Sequence, residues 1–137
     1  MQNNPAQFLR NVLRLDALTC LLSGAASLSL GHALSEPLGL STALLQGSGA
    51  ALLAAAGFIA FAAKNVPALR WPVWVVILGN AMWVLDSVLV LVGGFEHPTA
   101  LGTAYVIAQA IVVAVLAELE FTGLRKTSAA PAVAVRS

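Results

Sequence analysis

Four long apolar runs separated by short polar breaks organise this chain. The first covers about residues 12–33 and is closed by Ser35-Glu36-Pro37, a turn signal. The second covers about 38–63 and ends at Lys64-Asn65-Val66-Pro67. The third covers 71–94, before Glu96-His97-Pro98, and the fourth about 99–121, before Gly123-Leu124-Arg125-Lys126. A bilayer crossing takes about 20 mostly apolar residues, so each run predicts a transmembrane helix. The expected fold is all-α: an integral membrane four-helix bundle in one domain over 1–126, with 127–137 as a flexible tail.

Composition points the same way. Of 137 residues, 59% are hydrophobic and 9% charged, where soluble domains are near a quarter charged. The lipid bilayer is the expected solvent. A formal net charge of +1 without a basic cluster gives nucleic acid nothing to bind. Cys20 is the single cysteine, so neither an intramolecular disulfide nor a thiol pair for a metal can form. Arg10 and Arg14 ahead of an apolar run, with Gly31-His32-Ala33 after it, have elements of a cleaved signal. Asp16 interrupts the start of that run, and a retained helix is expected instead.

Charge placement predicts orientation. With four spans, Arg10, Arg14, Lys64, Arg70, Arg125, Lys126 and Arg136 all fall on one side, and the two opposite loops hold no Lys or Arg. The positive-inside rule then makes both termini cytoplasmic. Trp71 and Trp74 belong at that interface, with Phe58, Phe61 and Phe121 near the same level.

Polar residues inside spans are costly and mark candidate sites. Counting helical rise from the outer loops puts Asp86 near Tyr105 and Gln46, with Asn80 and Gln109 closer to the midplane. An intramembrane polar patch of Asp86, Trp83, Asn80, Gln46, Tyr105 and Gln109 follows, with Asp86 protonated and hydrogen-bonded to Tyr105 or Gln46. Arg14, Asp16, Glu118 and Glu120 read as cytoplasmic interface charges, the acids neutralised by Arg10, Arg14, Lys64 and Arg125. Glu118 and Glu120 project about 200° apart, so one of them faces inward.

Helix association in lipid relies on small residues that permit close approach. Ala43, Gly47, Ala51 and Ala55 recur every four residues in the second span and predict its packing ridge. Asp16, Cys20, Ser23, Ser27 and Gly31 make a polar and small stripe on the first, expected to face protein. A weak internal repeat aligns Leu15-Asp16-Ala17, Leu21 and Gly24 with Leu85-Asp86-Ser87, Leu91 and Gly94. His32 with Glu36, and Glu96 with His97, are the candidate metal or haem ligands on the outer loops, at spacings that match no ligand motif. No H-E-x-x-H, C-x-x-C, phosphate-binding Gly-rich loop or G-x-S-x-G is present. No cofactor and no catalysis are expected.

In four-span length and inside termini the chain resembles the small multidrug resistance transporters. It departs from their pattern, since Asp16 stands near the cytoplasmic end where that family carries a helix-one Glu. The segments Gly79-Asn80-Ala81-Met82-Trp83, Gln109-Ala110 and Ala117-Glu118-Leu119-Glu120 to Gly123-Leu124-Arg125 are similar to small bacterial four-span inner-membrane proteins. That resemblance implies the fold and a bacterial inner (cytoplasmic) membrane, and implies no activity. The leading expectation is a non-catalytic protein acting through helix–helix contacts, as a homo-oligomer or an accessory subunit of a membrane complex. The alternative is a small proton- or cation-coupled transporter or channel using Asp86, and a third is an outer-face metal or haem binder.

Overall fold

A computed structural model describes residues 4–136, with side chains through 127. Four helices follow one another: α1 (Pro5–Leu38), α2 (Thr42–Lys64), α3 (Trp71–Val92) and α4 (Ala100–Arg136). All four contain a stretch long and apolar enough to cross a membrane. The shortest, α3, has 22 residues, or ~33 Å, enough for a hydrocarbon core of about 30 Å. This is the fold of a multi-pass membrane protein. In α3 and in Ala100–Thr127 only 17% of the most apolar window is buried within the chain. Leu22, Leu78, Leu101 and Ile111 project outward, as lipid-facing side chains do.

Helix ends follow local chemistry. The Asn4 side chain accepts from the backbone of Ala6 and Gln7, and Pro5 starts α1 where its missing N–H costs nothing. The expected stop at Ser35-Glu36-Pro37 is corrected: α1 runs through it to Leu38. Proline keeps a helical φ and forfeits only one hydrogen bond in the last turn, whereas Gly39 at φ 67° ends the helix. A Cβ on Gly39 would lie 2.5 Å from the His97 carbonyl oxygen, so the α1–α2 turn fits against the α3–α4 loop only as glycine. Ser41 caps α2, and Glu96 reaches across to accept from its backbone N–H and hydroxyl. At the other end α4 continues past Lys126 to Arg136, through the stretch expected to be a tail.

The helices form a ring in the order α2, α1, α4, α3. Contact is most extensive between α1 and α2 and sparsest between α2 and α3, which close the ring. Gly24 and Gly49 make the tight α1–α2 crossing: a Cβ on Gly49 would lie 2.7 Å from the Leu28 nitrogen and 2.9 Å from the Gly24 oxygen. The predicted ridge is elsewhere. Ala43, Gly47 and Ala51 are exposed, Ala55 is half-buried, and open space surrounds Gly47. The period of four was legible, but Gly49 on another face of α2 carries the close approach.

The terminal end of the bundle is aromatic. Trp71 meets Phe58 and Phe61 at ring-centroid distances of 6.1 and 6.4 Å, and Trp74 meets Phe121 edge-on. Arg10 ties α1 to the end of α2 through the Ala63 and Val66 carbonyls, at 3.3 and 2.6 Å. Leu9, Leu13, Val73 and Leu124 fill the core beneath these contacts.

Candidate functional site: a buried carboxylate pair below a membrane cavity

Asp16 from α1 and Glu120 from α4 converge on Asn80 of α3. The Asn80 Nδ2 donates to Asp16 Oδ2 at 2.8 Å and to Glu120 Oε1 at 2.9 Å. The two carboxylate oxygens therefore lie no farther apart than those two bonds laid end to end. Asp16 is 1% exposed and Glu120 0%, so water does not screen them within this fold. The Cys20 thiol donates to the second Asp16 oxygen at 3.6 Å, a long contact that suits a weak sulfur donor. Glu120 Oε2 is buried and has no hydrogen-bond partner among the described residues. Asn80 lies nine residues past Trp71, ~14 Å along α3, so the cluster is inside the span rather than at its edge.

This arrangement corrects two expectations. Among the described residues the hydrogen-bond partners of Asp16 and Glu120 are Asn80 and Cys20 rather than the expected arginines and lysine: an uncharged amide bridges the two carboxylates. Helical projection turns Arg14 outward while Asp16, two residues on, faces in. Glu118 is exposed and Glu120 buried, as their angular separation requires. Asn80 leaves the expected patch for this cluster, because the ring sets α3 beside α4 and α4 beside α1.

The rest of the expected patch divides. Trp83 Nε1 donates to Gln109 Oε1, and Gln109 Nε2 donates to Ser87 Oγ and to the Val106 carbonyl, both at 2.9 Å. The bonds of Gln109 with Trp83 and Ser87 tie α3 to α4. Asp86 is exposed and makes no hydrogen bond among the described residues, so it is not bonded to Tyr105 or Gln46. Tyr105 is 39% exposed, and Gln46 packs over Gly31. Ser87, beside Asp86, is the polar residue of this region that sequence reasoning missed. Its position one turn past Trp83 was the available signal.

A cavity of about 690 Å³ lies inside the ring above the carboxylate pair. Asp16 and Cys20 reach it from below; Ser23, Ser27, Ser48, Trp83, Ser87 and Gln109 give it polar walls between aliphatic ones. Ala43, Gly47, Asp86 and Tyr105 line it while remaining exposed, which marks its mouth. Its size suits a small organic ligand, and its few polar groups suit orientation rather than bulk solvation.

The candidate metal ligands sit at the end of α1 and in the α3–α4 loop. His32 and His97 are exposed, Glu96 is engaged with Ser41, and no group of three His, Cys, Asp or Glu among the described residues is placed to hold a metal ion. No known protein family, curated protein or solved structure matches the chain.

Proposed function

We propose that this protein is a small proton-coupled carrier for organic cations, without catalytic activity, in which Asp16 and Glu120 form the coupling group. The observation that carries this reading is the orphan Glu120 Oε2 beside a second buried carboxylate at the floor of a ligand-sized cavity. Two ionised carboxylates facing one amide in hydrocarbon would leave paired negative charge with no counterion, at prohibitive cost. One proton shared by the pair halves that charge and leaves a single negative charge spread over both side chains. A cation entering the cavity supplies the same compensation to Asp16, and the proton then leaves as the cation binds. Asp86 at the mouth, with the aromatic residues Trp83 and Tyr105 also lining the cavity, favours cations over anions.

The topology fits this use with both termini in the cytoplasm of a bacterial inner membrane, where the Lys and Arg bias would place them. Proteoliposomes test it. With benzyltrimethylammonium imposed as a gradient and a pH dye inside, the wild-type chain moves protons against the cation and Glu120→Gln does not. Cation-independent pH traces from the wild type would refute the reading.

The exposed α2 ridge favours a second reading, self-association or docking into a larger membrane complex through Ala43, Gly47 and Ala51. Cysteine cross-linking at position 51 in native membranes reports it: a dimer or hetero-adduct supports this face, and a monomer alone opposes it.

A further inference from the structure

A second concave site lies on the outside of the bundle, where α1 passes the last turn of α2. Arg10, Arg14 and Lys64 rim a groove of about 410 Å³ whose remaining walls are Ala17, Ala60 and Ala63. No carboxylate lines it. The nearest acid along α1, Asp16, turns inward to Cys20 and Asn80. Among the described residues Arg10 is held in place by neutral acceptors, the Gln7 side chain and the Ala63 and Val66 carbonyls, none of which offsets its charge. Arg14 and Lys64 are exposed and make no hydrogen bond or ion pair among the described residues. Three cations around one groove repel each other unless an anion sits among them.

Depth and wall chemistry say which anion. The groove is level with the end of α2 and with the Phe58–Phe61–Trp71 cluster, where a spanning helix leaves hydrocarbon for headgroups. Its alanine walls leave room against the helix surface, and the flank beside it is exposed apolar side chain: Leu18, Leu21 and Phe61. A free phosphate would use the three charges and leave that apolar flank idle. We infer that the α1–α2 groove binds an anionic phospholipid, its phosphodiester held by Arg10, Arg14 and Lys64 and an acyl chain laid along the alanine walls. Arg suits the planar, two-point contact with phosphate oxygens, and Lys64 adds a point charge from the facing helix.

The test uses the full chain in detergent micelles, with native mass spectrometry and thermal unfolding as readouts. Phosphatidylglycerol is added in one arm, phosphatidylcholine in a second and inorganic phosphate in a third. The site predicts a one-lipid adduct and a raised melting temperature with phosphatidylglycerol alone. The double variant Arg14→Gln/Lys64→Gln, both exposed positions, should bind about thirtyfold more weakly, as expected for losing two basic residues beside an anionic headgroup. Arg125→Gln/Lys126→Gln removes the same charge elsewhere at that end and should keep the adduct. Equal adducts with both lipids, or equal loss in both double variants, would reduce the groove to unspecific surface charge. An effect reproduced by phosphate alone would overturn the lipid assignment.

Discussion

Asp16 and Glu120, carried by different helices, accept hydrogen bonds from one and the same amide nitrogen, that of Asn80. This three-helix contact joins α1, α3 and α4, and the partners it gives the two carboxylates among the described residues are uncharged. It makes Asn80 the neutral keystone of a site whose charge a proton or a bound cation must balance.

Asn80→Leu removes the donor both carboxylates share and leaves them facing each other in an apolar setting. A loss of about 3 kcal/mol is expected, read as a lower midpoint of thermal unfolding in detergent. Glu120→Gln should behave oppositely. Its amide still accepts from Asn80 and now donates toward Asp16, so stability stays within about 1 kcal/mol of wild type. Equal damage from both substitutions would disprove the shared-donor geometry.

Helix packing gives a paired prediction on α2. Gly49→Ala meets the Leu28 nitrogen, the Gly24 oxygen and Ser27 Cβ at 3.0 Å or less, and overpacking of this kind costs about 1–3 kcal/mol. Gly47→Ala meets nothing within 4 Å and should fall within about 0.5 kcal/mol of wild type in the isolated chain. Unfolding midpoints in detergent separate the two. A further loss for Gly47→Ala in native membranes alone would identify its face as an interface.

Trp83→Phe deletes the indole N–H that donates to Gln109 and keeps most of the ring. About 1 kcal/mol is lost. Binding of benzyltrimethylammonium should survive, because a ring face remains, while Trp83→Leu weakens it severalfold. Isothermal titration of both variants provides the comparison.

Asp86 offers the clearest contrast between a structural and a functional acid. With no hydrogen-bond partner for Asp86 among the described residues, Asp86→Asn should leave the unfolding midpoint unchanged while weakening cation binding at the cavity mouth. A large loss of stability with intact binding would return Asp86 to a packing role.

The spans were legible because hydrocarbon demands long apolar helices: α3 at Trp71–Val92 lies within the expected 71–94, whereas α4 starts at Ala100 and runs past 121 to Arg136. The Trp83–Gln109 contact was within reach too, since counting rise in both directions from the polar break at 94–98 places both residues near one level. Asp16, Asn80 and Glu120 were each visible as polar residues, yet their meeting was not. It depends on which helices are neighbours, and a hydrophobic pattern reports a face without reporting what lies against it. Proximity in sequence also misled: Arg14 stands beside Asp16 in the chain and points the other way in the helix. The same limit hid Gly49, because a regular small-residue ridge shows where close approach is permitted, and only the fold decides where it happens.

The central claim is that the Asp16–Glu120 pair holds a proton that a cavity cation displaces. The most direct measurement is proton release on benzyltrimethylammonium binding to the purified chain in weakly buffered detergent solution, followed with a pH dye. The account predicts release of close to one proton for each cation bound by the wild type, and none by Glu120→Gln at matched occupancy. Cation binding without proton release in the wild type, or equal release from Glu120→Gln, would contradict it.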